Sequence, residues 1–329
     1  MFNTILLFIK SGFCYNLNPS ICRKNGGSSE MKKNSKATGY LFVLGSTAIW
    51  SGNFIIARGL NDTIHPVELA FWRWVVAVLA FLPFGLKPLM AEWKILKKNI
   101  PYLFLTSVLG ITIFNTLIYF AGRTTTALNL SLISITFPIF IIILSRILFG
   151  EKITVHRLMG IILVIAGIVF LVTGGDVSKL TGISFSIGDL WMLIASFTFA
   201  LYSIQLRRKP EGLSVRSLQM ATFITGLIFL SPFFIGKTLS MPHSSFETRT
   251  ILSILYVGIF ASLIAFILWN KAIVKIGPTK SGMVYYTLPL FSGVLAYFVL
   301  KESVTVIHLI SAVLIISGII MANYSGKKG

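Results

Sequence analysis

The sequence predicts an all-α integral membrane protein of ten transmembrane helices, arranged as two five-helix repeats of opposite orientation. Three observations predict it. The chain of 329 residues is 55% hydrophobic and only 12% charged, about half the charged share of an ordinary soluble domain. Its charges gather between long apolar stretches, the distribution that a lipid environment imposes. A pattern of Pro, Glu, Thr and Gly in the first half returns in the second at a nearly constant offset. A soluble globule would have to pack all this apolar material into one core, and such cores stop growing near roughly 250–300 residues.

A spanning helix needs roughly 20 mostly apolar residues. The stretches that qualify are 39–60, 66–86, 100–121, 124–147, 156–173, 188–206, 214–235, 250–270, 279–300 and 304–324, separated by Gly, Pro, Asn and charges. They divide into a first repeat over 39–174 and a second over 188–324, with a short C-terminal tail at 325–329. Residues 1–38 read as an N-terminal tail. Met1–Ile9 is apolar but too short to span, and no small-residue cleavage site follows it. Met31 opens the basic run Met31-Lys32-Lys33-Asn34-Ser35-Lys36, so the expectation is either a true start at Met31 or a disordered tail over 1–36. Cys14 and Cys22 lie eight apart with no His nearby, which makes neither a zinc site nor a disulfide framework.

The formal net charge of +19 raises nucleic acid as a partner. Its distribution argues against that, because the basic residues are spread over short loops between apolar spans. With the N-terminus inside, the cytoplasmic segments from Met31 onward hold nineteen Lys and Arg, and the opposite side holds six. The positive-inside rule then places both termini in the cytoplasm, and the expected location is the inner (plasma) membrane.

The repeat is read from spacing. Glu151-Lys152-Ile153-Thr154 lies over Glu302-Ser303-Val304-Thr305 at an offset of 151, which Pro138/Pro289 and Gly167/Gly318 share. Earlier, Leu82-Pro83-Phe84 lies over Ser231-Pro232-Phe233, and Arg58 over Arg207, at an offset of 149. Five spans per half is an odd number, so the second half enters the membrane from the opposite side. Inverted repeats are a recurrent transporter architecture, because exchanging the two halves' conformations exchanges inward-open and outward-open states.

These residues resemble the drug/metabolite transporter superfamily, EamA type. The resemblance rests on Trp50-Ser51-Gly52-Asn53-Phe54, Arg73, the Pro138-to-Glu151 segment and its counterpart Pro289 to Glu302, and it runs from about 39 to 324. It implies a ten-helix fold, a central cavity between the halves, and movement of amino acids, nucleotide-related metabolites, sugars or drugs. The halves differ where Trp50 meets Phe199 and Asn53 meets Tyr202, so the implied site is chemically asymmetric. The expected function is a secondary transporter of small organic metabolites, an amino acid or related metabolite exporter or exchanger working by alternating access. The alternative is an integral membrane enzyme or lipid-handling protein.

The candidate substrate-binding residues are Trp50, Asn53, Arg73, Asn115, Tyr119, Tyr202, Trp269, Asn270, Tyr285 and Tyr286. Arg73 is the strongly charged residue well inside a span, where it costs several kcal/mol unless paired or hydrated. It reads either as an anion contact or as a snorkelling side chain bonded to carbonyls. Asn115 and Tyr119 share a helix face and read as cavity. Trp269 and Asn270, near a span end, read equally as interfacial belt and helix glue. Pro138 and Pro289 each free a carbonyl and are hinge or gating candidates. Gly160, Gly167, Gly174 and Ser311, Gly318, Ser325 form stripes for close helix packing, within the fold or between protomers of a homodimer. Glu151 and Glu302 read as loop anchors. The sequence contains no P-loop, no G-x-S-x-G, no H-E-x-x-H and no Cys/His cluster, so no enzyme, metal or cofactor is expected.

Overall fold

The structure is a computed structural model. It describes residues 28–60, 63–125, 130, 133–134, 136–176, 178, 186–240, 246–300 and 306–323. Residues 38–329 form a compact unit of their own. The expectations for residues 1–27, Lys179, His243, Glu302 and Ser325 lie outside the described residues.

Every described regular element is a helix. In chain order they are α1 (Ser28–Gly59), α2 (Pro66–Ala91), the short α3 (Trp93–Lys98), α4 (Ile100–Thr124), α5 (Thr136–Phe149), α6 (Val155–Thr173), α7 (Ile187–Arg207), α8 (Val215–Ser240), α9 (Thr248–Ile276), α10 (Pro278–Tyr285), α11 (Leu288–Leu300) and α12 (Val306–Asn323). Among the described residues, six of them are long and apolar enough to cross a membrane: α2, α4, α7, α8, α9 and α12. The other four predicted spans fall on α1, on α5 and α6, which are apolar but shorter over the described residues, and on the interrupted pair α10–α11.

Local signals set the helix ends. Pro66 opens α2 with its fixed φ, and the His65 side chain accepts from the Val67 N–H at 3.3 Å. Thr154 caps α6 by accepting from the Arg157 N–H at 3.2 Å. The backbone N–H of Ser186 donates to Asp189 at 2.6 Å at the head of α7. Gly174 closes α6 in the left-handed conformation at φ 65°. Gly277, at φ 80°, makes the sharp step from α9 into α10.

Two departures from regular helix position the site. Val108–Ile113 in α4 and Val257–Ile264 in α9 are π-helical. They correspond at offsets of 149 and 151, the same two offsets that relate the halves in sequence. A π segment inserts a residue into the i→i−4 ladder and frees carbonyls for side chains. α2 packs against the π segment of α9, and α8 against that of α4, so each half's second helix grips the other half's bulge. At the periphery α6 lies on α12 through its glycines: a Cβ on Gly160 would stand 2.6 Å from the Gly318 carbonyl, and one on Gly167 2.8 Å from Leu314. The small-residue stripe is thus used within the fold. Large apolar side chains such as Leu79, Ile147, Leu239 and Val313 stand exposed on the outside of the bundle, the outward surface that lipid solvates.

Candidate functional site

Four helices, α1, α2, α4 and α9, bring a polar cluster to the middle of the bundle. Arg73 of α2 is fully buried. Its Nε donates to Ser262 of α9 at 2.7 Å, and its Nη1 donates to Asn115 Oδ1 at 2.8 Å and to the Tyr119 hydroxyl, both on α4. Tyr119 passes its own proton to Asn53 Oδ1 on α1 at 3.3 Å. Asn115 Nδ2 donates to the Gly110 carbonyl at 3.2 Å and Ser262 Oγ to the Val257 carbonyl at 2.7 Å. Both carbonyls belong to π segments. Without the bulges these acceptors would be bound within their helices, and the two side chains that hold the guanidinium would be less firmly fixed. The rings of Trp74 and Tyr119 lie 5.2 and 5.5 Å from the guanidinium carbon. The Nη2 of Arg73 is buried and has no hydrogen-bond partner.

A second cluster lies across an aromatic layer. Tyr202 of α7 donates to Asn270 Oδ1 of α9 at 2.8 Å, Asn270 Nδ2 donates to Gln219 of α8, and Gln219 Nε2 is buried without a partner. Tyr202 is the counterpart of Asn53, and Asn270 of Tyr119, at the two offsets. The same contact between corresponding helices is therefore made twice with the residue types exchanged: Tyr119 to Asn53, and Tyr202 to Asn270.

Between the clusters, Trp50 packs on Phe199 at 5.4 Å, Phe266 at 5.6 Å and Trp269 at 5.5 Å. Trp50 also donates its indole N–H to the Ala261 carbonyl at 2.9 Å, as Trp74 does to Ile111 at 3.1 Å. These two acceptors again lie in the π segments. Trp269 donates to Ser203 at 3.1 Å. Tyr285 joins this layer through Phe137 at 4.8 Å. Tyr286, one residue on and turned about 100° around the helix, packs instead with Ile142, Val164 and Ile315 in a separate cluster, its hydroxyl unpartnered. The structure thus gathers nine of the ten candidate residues and leaves Tyr286 apart. Pro289 is the second residue of α11 and follows the break at Tyr286–Thr287. Pro138 is the third residue of α5, and it packs against Gly282 of α10.

Ion pairs lie toward the two ends of the bundle. Glu68, in the first turn of α2, meets Lys237, in the last turn of α8, at 2.7 Å, both nearly buried. At the other end, which carries Lys97, Lys98 and Lys280, Glu151 pairs with Arg207 and accepts from Thr279 at 2.9 Å. That contact ties the end of α5 to α7 and α10. Among the described residues no group of three His, Cys, Asp or Glu side chains comes together.

Sequence reasoning overlooked Ser262, Gln219, Ser203 and the π segments. Gln219 carried a usable signal as an amide inside an apolar stretch. The π segments carried none, because Val, Leu, Gly and Ile suit ordinary helix equally well in lipid.

Fold and site define a multi-pass helical membrane protein built on two related halves. The chain belongs to the EamA-like transporter family, whose model matches residues 37–173 and again 186–324. It is similar to an uncharacterized transporter of Archaeoglobus fulgidus, 26% identical over 87% of this chain and 96% of that one. It is also similar to the uncharacterized transporter YyaM of Bacillus subtilis, 25% identical over 86% and 93%. A solved crystal structure shares the fold with a TM-score of 0.70 at 17% identity, covering 87% of this chain and 96% of that one.

Proposed function

We propose that this membrane transporter is a secondary transporter that moves small organic metabolites, amino acids or related compounds, by alternating access between two inverted five-helix halves. In this reading ten helices span an inner (plasma) membrane, and both termini face the cytoplasm. The observation that carries it is the exchanged pair Tyr119–Asn53 and Tyr202–Asn270, set where the halves meet. A pair of equivalent contacts at the junction lets each half rock against the other while the polar groups stay partnered, the arrangement expected of inverted repeats. The Glu151–Arg207–Thr279 contact closes the cytoplasmic end, and the aromatic layer around Trp50 separates that end from Arg73. The central residues are all buried, so this conformation is occluded, and substrate enters when one end opens.

Purified protein in vesicles, given a labelled metabolite panel with and without a proton gradient, tests the reading. Uptake or efflux of one compound above protein-free vesicles supports it; none across the panel in either direction refutes it. Orientation is tested separately by reporter fusions. Those at Lys97 and Arg208 should report cytoplasm, those at Lys179 and His243 the opposite side, and a cytoplasmic signal at Lys179 overturns the five-plus-five arrangement.

A further inference from the structure

We infer that the central site takes a monocarboxylate with an apolar body, held end-on by the free Nη2 of Arg73; this rests on the transport reading above. Arg73 has five N–H donors. One on Nε goes to Ser262, and the two on Nη1 go to Asn115 and Tyr119. Every one of those acceptors is neutral. The two N–H groups of Nη2 are buried and unused. A buried guanidinium with neutral partners and two idle donors is an incomplete ion pair, and leaving such donors unsatisfied is costly.

Among the described residues no carboxylate completes it. Glu68 shares α2 with Arg73, but five residues turn it off that face and Lys237 holds it at 2.7 Å. Asp189, at the head of α7, is engaged by Thr125 and the Ser186 N–H. The missing counter-charge is therefore external. Its size follows from the donors. One positive charge calls for one negative charge. Because Nε and Nη1 are taken, the two-pronged fork that grips a carboxylate or phosphate from the side is blocked, and a single carboxylate can still be met end-on.

The rest of the ligand follows from the walls. Trp74 and Tyr119 flank the guanidinium, and Trp74 leads through Phe266 at 5.3 Å to Trp50 and the aromatic layer. Among the described residues Arg73 is met by rings, two hydroxyls and an amide, and by no carboxylate for an ammonium group. The geometry therefore favours a net anion with an apolar body over a zwitterion or a cationic amine. Aromatic side chains around one fixed polar contact are the usual lining of a small-molecule site.

The test uses full-length protein in detergent and three compounds of one shape: 3-phenylpropanoate, 3-phenylpropanamide and 3-phenylpropylamine. Binding is read by tryptophan fluorescence and by thermal shift at neutral pH. The acid should bind at least tenfold more tightly than the amide or the amine. Arg73→Lys should keep part of that preference, since the ammonium retains charge without the planar fork, and Arg73→Gln should abolish it. Should Arg73→Gln fail to fold, Asn115→Asp decides. It places a carboxylate against Nη1, so it should fold at least as stably as the parent and lose tenfold or more in affinity for the acid. Equal binding of all three compounds, no binding of the acid, or unchanged affinity in Asn115→Asp overturns the inference. The two readings fail separately. Vesicles that move a neutral or cationic compound, with no Arg73-dependent binding of the acid, leave transport standing and remove the anion site. Binding of the acid with no flux of any compound does the reverse.

Discussion

The buried pair Glu68–Lys237 gives the sharpest energetic prediction. The carboxylate and the ammonium are 2.7 Å apart, with side chains 2% and 5% exposed. Removing one partner of a buried pair typically costs about 3–5 kcal/mol, because the other charge is left uncompensated. Both residues lie within one turn of a helix end, where water can reach them after a small movement, so the low end of that range applies, about 3 kcal/mol. Each also suits its own helix dipole, Glu68 at the positive start of α2 and Lys237 at the negative end of α8, worth about 0.3–1 kcal/mol apiece. Replacing both at once removes the dipole terms but leaves no stranded charge. Glu68→Gln and Lys237→Met should each lower stability by about 3 kcal/mol, and the double variant should lie only about 1 kcal/mol below the parent. Thermal unfolding in detergent followed by size-exclusion fluorescence, with a double-mutant cycle, measures this. Single variants within about 0.5 kcal/mol of the parent, with additive effects, would show that the pair is solvated and that the helix ends gape in solution.

Three further outcomes follow from named contacts. Gly318→Ala should cost well over 1 kcal/mol, because its Cβ would fall 2.7 Å from the Gly160 carbonyl, while Gly236→Ala, with nothing within 4 Å, should be neutral or gain up to about 1 kcal/mol of helix propensity; monodispersity and melting of the two proteins compare them. Glu151→Gln should raise the reactivity of Ser145→Cys toward a water-soluble maleimide by no more than about fivefold, since a pair as exposed as Glu151–Arg207 is worth at most about 1 kcal/mol; unchanged reactivity removes it as a closure. Asn115→Ala should cut vesicle flux at least tenfold with expression near normal, and full flux would leave Asn115 only its hydrogen bonds between helices.

The sequence displayed the membrane class, the halves and most of the central residues, because lipid allows so little. An Arg or Asn inside an apolar stretch must find a partner, so Arg73, Asn115 and Asn270 stood out; Arg73 is bonded to Asn115, and Asn270 to Gln219 in the second cluster. Glu68, five residues from Arg73 and so off its helix face, meets Lys237 instead. Residues whose chemistry leaves the direction open were less legible. Tyr285 and Tyr286 are adjacent and alike, and only the phase of α10 decides that one joins the aromatic layer and the other the α5–α6–α12 cluster. Pro289 read as a bend within one span, whereas it is the second residue of α11, where its missing N–H costs nothing. The stretch 279–300, read as one piece, is likewise covered by two helices with a break at Tyr286–Thr287.

The two halves share a frame and differ in charge, and that difference decides what the frame is for. Corresponding positions supply the Tyr–Asn contact on each side, so the junction is mechanically near-symmetric. Arg73 corresponds to Thr222, and in the second half's polar cluster the unpartnered donor belongs instead to the neutral Gln219. On the transport reading proposed above, a solute at the junction would meet a cation on one side and an amide on the other. Binding energy from that single charge would then orient the solute between two otherwise similar exits. A neutral group at 73 would keep the Tyr–Asn contact of each half and remove the one charge by which the proposed site could choose its solute.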